Sequence, residues 1–389
     1  MNFRSGILFL SGIMLIHQAF AQNDTTKPSH KFTLNGYIKY LELASFTNEP
    51  TELLTNSEIH NRLNFRYQPN EHLNFRLEIR NRFYYGEIVQ NDSNFASTVT
   101  GSYAPINLSK NWIDQNAVLF NTTIDRASAE YIQGKWDITL GRQRINWGIN
   151  TVWTPNDIFN AFNYFDFDYE ERPGTDALRA VYEINSSSSI ELAVSPGKTF
   201  NQSTEAVMFH YNKWDYDFQV FSGIYQKDFT IGAGWAGNIF GAGFKGEFTY
   251  FTPYGSYSDT AAFASSMSLD YAFKNGIYIL VSGLYNKLGQ DTVVNLSQLA
   301  SEYLSPKDLF PFKYTIFSEI SYPFTPIFKA SLATMFSPTG NSIFVLPTLT
   351  YSIANDWVLD FIGQSFFSEQ GGKYRSVTNN FYLRIKWGF

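Results

Sequence analysis

The sequence predicts an all-β protein, a transmembrane antiparallel up-and-down β-barrel of 18 strands, with 16 as the fallback. The strongest observation is alternation in the last nine residues. Large apolar residues there occupy every second position: Phe381, Leu383, Ile385, Trp387 and Phe389. Period-2 alternation puts these side chains on one face of a strand, which lipid can solvate. Taken alone, the pattern also fits the last strand of a soluble barrel or sandwich.

The amino terminus predicts export. A short basic start, 1–4, precedes an apolar run at 7–16, and Ala19-Phe20-Ala21 fits the small-x-small rule for cleavage. The apolar run is too short for a membrane-spanning helix. We therefore expect a signal peptide at 1–21, a short periplasmic tail at 22–31 and the barrel at 32–389, in the bacterial outer membrane.

Composition agrees with an alternating barrel wall. Aromatic residues make up 18% of the chain, with 25 Tyr and 37 Phe. No later segment has the ~20 consecutive apolar residues that a spanning helix needs. The chain has no cysteine, so thiolate metal sites and nucleophiles are excluded, and a formal net charge of −6 argues against nucleic acid as a partner.

Segments with period-2 alternation, separated by turn residues, run along the whole chain. Strands are predicted at 32–43, 57–68, 72–87, 123–134, 136–146, 175–184, 189–196, 205–213, 215–226, 228–236, 240–251, 262–273, 276–286, 312–322, 327–337, 342–351, 356–368 and 377–389. The even-numbered connections are short and contain Gly, Asn, Asp or Pro, as hairpin turns require. The long connections are all odd-numbered: 44–56, 88–122, 147–174 and 287–311. Short turns at one end and long loops at the other are typical of outer-membrane barrels.

Several arginines alternate with apolar residues in the predicted strands, and charge at membrane depth must point into the barrel. They form a predicted pore-lining basic wall: Arg62, Arg66, Arg76, Arg80, Arg82 and Arg179. Two interpretations stay open. The arginines either pair with Glu58, Glu78 and other lumenal acids and fill the wall, or they form a solute-facing ladder that attracts anions.

The third long connection, 147–174, is expected to fold into the barrel, because its many aromatic residues would be poorly placed in water. Thr154, Pro155 and Asp157 form a helix-start pattern, so a short helical turn is expected there. This infolded third extracellular loop would face the arginine wall and narrow the channel. Its predicted constriction residues are Pro155, Asp157, Asp166, Asp168, Glu170 and Glu171.

Other chemistry has little support in the sequence. Asp166, Asp168 and Glu170 alternate as calcium ligands do, but the turn glycine and distal glutamate of a calcium loop are missing. The histidines after the signal peptide have no metal-binding spacing, and none pairs with an obvious nucleophile. We expect no cofactor and no catalysis.

Two segments carry a family resemblance. Leu140-Gly-Arg-Gln-Arg-Ile-Asn-Trp-Gly148, followed by Thr154-Pro-Asn-Asp157, resembles a segment of porin-like bacterial outer-membrane barrels, which include alginate-export and phosphate-selective-porin-like proteins. The final strand resembles the carboxyl-terminal assembly signal of such barrels. The resemblance implies a passive diffusion channel and carries no substrate with it.

The sequence therefore predicts an outer-membrane channel for small hydrophilic solutes, with a mild preference for anionic or hydroxyl-rich ones. Expected partners are outer-membrane lipid, the barrel-assembly machinery, the solutes themselves and, by analogy with other pore proteins, two further copies in a homo-trimer. The alternative is a non-conducting structural, assembly or export-partner barrel, plugged by its own loops.

Overall fold

The computed structural model describes residues 31–47, 53–101, 104–161, 172, 174–254, 260–291 and 305–389. Nineteen strands are found in this part of the chain. Their bounds are β1 Phe32–Phe46, β2 Leu54–Tyr67, β3 Leu73–Gly86, β4 Ser109–Gln115, β5 Val118–Gln133, β6 Trp136–Gln143, β7 Thr175–Asn185, β8 Ser188–Ser195, β9 Thr204–Lys213, β10 Tyr216–Tyr225, β11 Asp228–Ile239, β12 Ala242–Pro253, β13 Ala262–Ala272, β14 Tyr278–Asn286, β15 Tyr314–Thr325, β16 Phe328–Ser337, β17 Ser342–Ala354, β18 Trp357–Gln370 and β19 Lys373–Gly388.

Eighteen of these strands form a closed antiparallel ring, which confirms the predicted fold and strand number. Each ring strand pairs with its neighbours in sequence once β4 is left out, and β19 pairs with β1 to close the ring. At the seam, Phe389 and Gly36 exchange two backbone hydrogen bonds of 2.9 and 3.0 Å. Closure pairs the edges that an open sheet would leave unsatisfied in lipid.

Alternation along the strands gives the barrel an apolar outer surface. In β3, Phe75 and Leu77 are exposed on the outside while Asn74 and Arg80 are buried in the interior. No helix in the described ranges is both long and apolar enough to cross a membrane.

The second long connection differs from the sequence prediction, which left 88–122 without regular structure. It contains α1 Glu87–Asn91, α2 Phe95–Thr100 and the additional strand β4, and β5 begins at Val118 instead of 123. β4 pairs with β5 where β6 no longer does, because β6 stops at Gln143. It therefore satisfies backbone groups of β5 that would otherwise lack partners.

The predicted short turns all occur at the end of the barrel that carries the chain termini, although some lie a few residues from their expected places. The turn expected at 236–238 is wrong, because β11 continues to Ile239 and the chain reverses at Phe240 and Gly241, both with positive φ. Two left-handed residues in a two-residue hairpin match the twist of the strands on either side.

The buried apolar residues lie inside the barrel instead of between two layers. One cluster packs Ile145 and Trp147 of the third loop against Met208, Phe221 and Phe251 of the wall. A second cluster packs loop residues against β13 to β18. The third loop is thus infolded, as the sequence predicts, and it forms the core of the protein together with one side of the wall.

Candidate functional site

The third loop leaves the barrel wall at the end of β6. Gly141 has a φ of 114°, and a Cβ there would meet Ala127 O at 2.3 Å, so this position favours glycine. Arg142 then binds Asp176 of β7, with Nε 2.8 Å from Oδ1 and Nη2 2.9 Å from Oδ2. This bidentate ion pair fixes the point at which the chain turns into the lumen after Gln143.

The first residues of the loop alternate between the wall and the open lumen. Ile145 and Trp147 are buried against the wall, whereas Arg144 and Asn146 are exposed. The indole Nε1 of Trp147 donates to Glu191 Oε1 of β8 at 2.8 Å. The loop therefore presents polar side chains to the lumen and covers its apolar face with the wall.

The buried carboxylate of Glu247, in the middle of β12, holds the next part of the loop. It accepts hydrogen bonds from the backbone N–H groups of Asn150 at 2.9 Å and of Ile149 and Asn156 at 3.3 Å. The hydroxyl of Thr249, one inward position along β12, donates to Asn156 Oδ1 at 2.7 Å. Because one side chain binds three backbone N–H groups, Glu247 is a main polar anchor of the loop.

The Thr154–Asp157 segment forms one hydrogen-bonded turn, in which Asp157 N donates to Thr154 O at 3.0 Å. No helix follows within 155–161, so the expected helical turn is wrong; Glu247 already binds the backbone of this segment. Pro155 and Asp157 are both buried. Burial raises the pKa of Asp157 to about 6, while the guanidinium of Arg172, 3.0 Å from Oδ2, opposes this rise.

The apolar part of the loop packs under the connection between β14 and β15, which also folds inward. The ring centroid of Trp153 lies 6.2 Å from that of Phe310 in this connection and 6.4 Å from that of Phe317 in β15. Leu309 and Phe312 of the same connection are buried with them. Two infolded connections therefore fill the same side of the barrel.

The contacts of the third loop run along β8 to β15, and most of the predicted arginine wall lies on β2 and β3. In a ring of eighteen strands, β11 to β13 lie about halfway round from β2 and β3. The loop is therefore anchored to the wall opposite the arginines. The exposed side chains of its first residues therefore project away from the strands that anchor the loop, toward the half of the ring that contains β19, β1, β2 and β3.

Two of the predicted wall arginines lie in a buried ion-pair network. Arg62 contacts Asp125 Oδ2 through Nη1 at 2.6 Å and Glu78 Oε2 through Nη2 at 2.5 Å. Arg80 Nη2 lies 3.0 Å from the other oxygen of Asp125. Asp125 reaches these arginines because β5 has a bulge opposite the Glu78/Ile79 step of β3. Arg62 and Arg80 therefore follow the first of the two interpretations: they pair with lumenal acids and fill the wall.

Three other wall arginines are less neutralised. Arg66 and Arg76, register partners near the end of the barrel that has the short turns, are exposed. Arg76 lies 3.6 Å from Glu130, and Arg66 donates to Asn74. Within the described residues, neither Arg66 nor Arg82 has an acid within salt-bridge distance; Arg82 donates to a backbone carbonyl in α2. The basic wall is therefore mixed, part ion-paired and part open to the lumen.

Arg179 points into the barrel but belongs to the anchoring side. Its Nε and Nη2 lie 2.8 and 2.9 Å from the two oxygens of Glu191, and its Nη1 lies 3.4 Å from Asp137. Glu191 is also the acceptor for Trp147, so Arg179 orients an anchor of the third loop.

Two lysines that the sequence reading did not single out extend the basic wall. Lys39 of β1 and Lys386 of β19 are register partners, and their Nζ atoms lie 5.6 and 4.8 Å from the ring centroid of Tyr37. Both occupy inward positions of strands with period-2 alternation, so the alternation in the sequence could have identified them as lumenal. Glu247 carried the same signal, as a charged residue out of phase with the outward Phe248 and Tyr250.

Four predicted constriction residues, Asp166, Asp168, Glu170 and Glu171, lie outside the described residues, as does the predicted signal peptide. The calcium alternative rests on the same acids. Among the described residues, no group of three or more histidine, aspartate or glutamate side chains could hold a metal ion.

Comparison with known proteins shows likeness in fold without likeness in sequence. No protein-family model and no curated protein matches the sequence. The structure is similar to OccAB4 of Acinetobacter baumannii, with a TM-score of 0.59 and 10% identity over 93% of this chain and 100% of that one. It is also similar to OccK5 (OpdH) of Pseudomonas aeruginosa, with a TM-score of 0.59 and 8% sequence identity over 92% of this chain and 98% of that one. For the outer membrane protein opdK of the same organism, the TM-score is 0.55 and the sequence identity 8%, again over 92% of this chain and 98% of that one.

The chain has the barrel fold of these proteins. At such low identity the likeness concerns the fold alone, and it spans nearly the full length of both chains. The resemblance to alginate-export and phosphate-selective-porin-like proteins is not confirmed, because no family comparison supports it and the structures named above carry other names.

Proposed function

We propose that this protein is an outer-membrane channel for the passive diffusion of small hydrophilic solutes. One observation carries the proposal. The third loop is bound to the wall opposite β2 and β3 by Glu191, Glu247 and an apolar cluster, so it narrows the lumen and leaves the basic wall facing the remaining space. A fixed narrowing beside exposed charge is an arrangement that selects solutes by size and charge.

The surface chemistry supports a place in a lipid bilayer. Residues such as Leu140, Leu178 and Leu383 project outward and are exposed. An outward apolar band with an inward polar face is what a spanning barrel requires. The predicted signal peptide, the carboxyl-terminal strand as a substrate of the barrel-assembly machinery, and a homo-trimer are parts of the same proposal.

The proposed selectivity favours anions. Arg66 and Arg76 are exposed on the wall, and Arg144 is exposed on the loop that faces it. Basic groups on both sides of a narrow aqueous path raise the local concentration of anions. This part of the proposal concerns the side chains that remain exposed, since the acids Asp125 and Glu78 offset Arg62 and Arg80.

Single-channel recording tests the proposal. The refolded full-length barrel would be inserted in a planar bilayer under a potassium chloride gradient, with folding verified by heat-modifiable electrophoretic mobility. Steady openings whose reversal potential lies on the chloride side are expected. Openings without anion preference would support the channel function but contradict anion selection by the basic wall. Silence from a folded barrel would overturn the channel and favour the plugged, structural alternative.

A further inference from the structure

A row of hydroxyl groups crosses the extracellular end of the barrel above the anchored loop. Ser195 of β8 is the register partner of Thr204 of β9, and Thr204 is the register partner of Tyr225 of β10. On the other side, Thr175 of β7 lies 2.8 Å from Ser195, oxygen to oxygen. Four inward hydroxyls thus lie side by side on four adjacent strands; together they are called the hydroxyl row.

The hydroxyl row borders a cavity of about 270 Å³. Its other walls come from five different connections, including Phe159 and Ala161 of the third loop and Ser305 and Pro306 before β15. No residue that lines the cavity carries a formal charge. Of the charged residues that adjoin the lining in sequence, Lys307 is ion-paired with Asp228 at 2.7 Å and Asp176 with Arg142 at 2.8 Å.

The polar groups of the cavity suit a ligand that both donates and accepts hydrogen bonds. The hydroxyl of Tyr225 lies 3.3 Å from Ser305 Oγ and accepts from the side-chain amide of Gln226 at 3.3 Å. Hydroxyls and amides can serve as donor or acceptor, whereas the basic wall offers donors alone. The ring of Phe159 and the ring of Pro306 add apolar surface. Mixed apolar walls with a few convergent hydroxyls and amides are typical of sites for small neutral ligands.

We propose that this cavity is a docking site for neutral, hydroxyl-rich solutes of about monosaccharide size. It lies at the extracellular mouth, beside the loop that narrows the lumen, so a solute held there would be positioned before the constriction. That role in uptake rests on the proposed channel function, whereas binding itself does not. The cavity and the basic wall would then select different chemical classes at different depths of one lumen.

Equilibrium binding tests the site independently of conductance. Glucose is the neutral probe and glucuronate the matched anionic one, measured by saturation-transfer NMR on the refolded full chain in a detergent without a sugar head group. We expect millimolar glucose binding that weakens about fivefold with Thr204→Val or Tyr225→Phe, and more than tenfold with both. Thr334→Val, which removes a hydroxyl on β16 away from the cavity, is the matched control and should change nothing.

A second variant guards against a failure of the double substitution to fold. Ala161→Phe fills the cavity from the loop side, leaves the hydroxyl row intact and should also abolish glucose binding. The proposal is overturned if the wild-type barrel does not bind glucose, or if Thr334→Val weakens binding as much as Thr204→Val. It is also overturned if glucose is displaced by glucuronate and both depend on Arg66 and Arg76, because binding would then belong to the basic wall.

The two proposals fail separately. A barrel that binds glucose at the hydroxyl row but never conducts would overturn the channel and keep the docking site. A barrel that conducts but does not bind glucose would keep the channel and overturn the docking site.

Discussion

The carboxylate of Asp125 lies 2.6 Å from the guanidinium of Arg62, inside the barrel and nearly out of contact with solvent. The same carboxylate holds Arg80 at 3.0 Å. Because one bulged acid serves two arginines, the middle of the basic wall is a rigid ion-pair network. The basic side chains available to a solute are therefore those outside this network, such as Arg66 and Arg76.

Asp125→Asn should destabilise the barrel, because it leaves two buried arginines with too little compensating charge. Removing one partner of a buried pair costs about 3 kcal/mol in the free energy of unfolding. Urea unfolding of the barrel in lipid vesicles measures this change. Asp114→Asn, at an exposed position of β4, is the control and should have no measurable effect. Equal stability of both variants would mean that Asp125 does not hold the network.

The exposed arginines give a separate prediction for selectivity. Arg66→Gln with Arg76→Gln should reduce the chloride-to-potassium permeability ratio by roughly twofold, since two lumenal charges that attract anions are removed. Reversal potentials under a salt gradient report the ratio. Lys213→Gln with Lys274→Gln makes the same charge change at the periplasmic turns and should leave the ratio unchanged. A shift of the same size in both double variants would contradict a role of the wall.

Glu247→Gln should loosen the third loop, because an amide NH2 group, a donor, replaces one of the two oxygens that accept from backbone N–H groups. A lost hydrogen bond costs about 1 kcal/mol and an opposed buried donor adds to it, so the loop should leave the wall more often. Single-channel traces should then show frequent flickering and a higher mean conductance, and proteases should cut within the loop. Glu319→Gln, which changes a lumenal acid of β15 that makes no hydrogen bond to the described residues of the loop, is the matched control. Flickering in this variant too would argue against specific anchoring by Glu247.

The carboxyl-terminal residue gives a prediction about assembly. Phe389 closes the backbone seam with Gly36, and Trp387 stacks on Trp357 with ring centroids 6.0 Å apart. Phe389→Ala should lower the amount of folded barrel in the outer membrane severalfold if the final strand is the assembly signal. Heat-modifiable mobility of the membrane fraction measures the folded amount. Phe240→Ala, at an exposed periplasmic turn, should have little effect.

The sequence was informative wherever a residue's role depends on alternation alone. The outward face of β19, the inward arginines of β2 and β3, and the separation of short turns from long loops all follow from period 2 and turn chemistry. These patterns are repeated in strand after strand, so errors of a few residues at strand ends did not change the number of ring strands.

Features that break the alternation were missed. The bulge of β5 brings Asp125 and Arg126 inward in succession, and no period-2 reading shows that. β4 exists because β6 ends early and leaves an edge of β5 to be paired, which depends on a strand that lies elsewhere in the sequence. The helix-start pattern at Thr154 likewise gave way to a single turn, in which the backbone N–H of Asn156 donates to Glu247.

By itself, the sequence determined the class of the fold, the number of strands in the ring and the face on which the charged side chains of the regularly alternating strands lie, because period-2 alternation separates an apolar from a polar face. The tertiary structure decided what those charges do. Arg62 and Arg80 are paired and Arg66 and Arg76 are exposed because of which strands became neighbours and where one bulge fell. The hydroxyl row, too, comes into being only when four strand ends are brought into register.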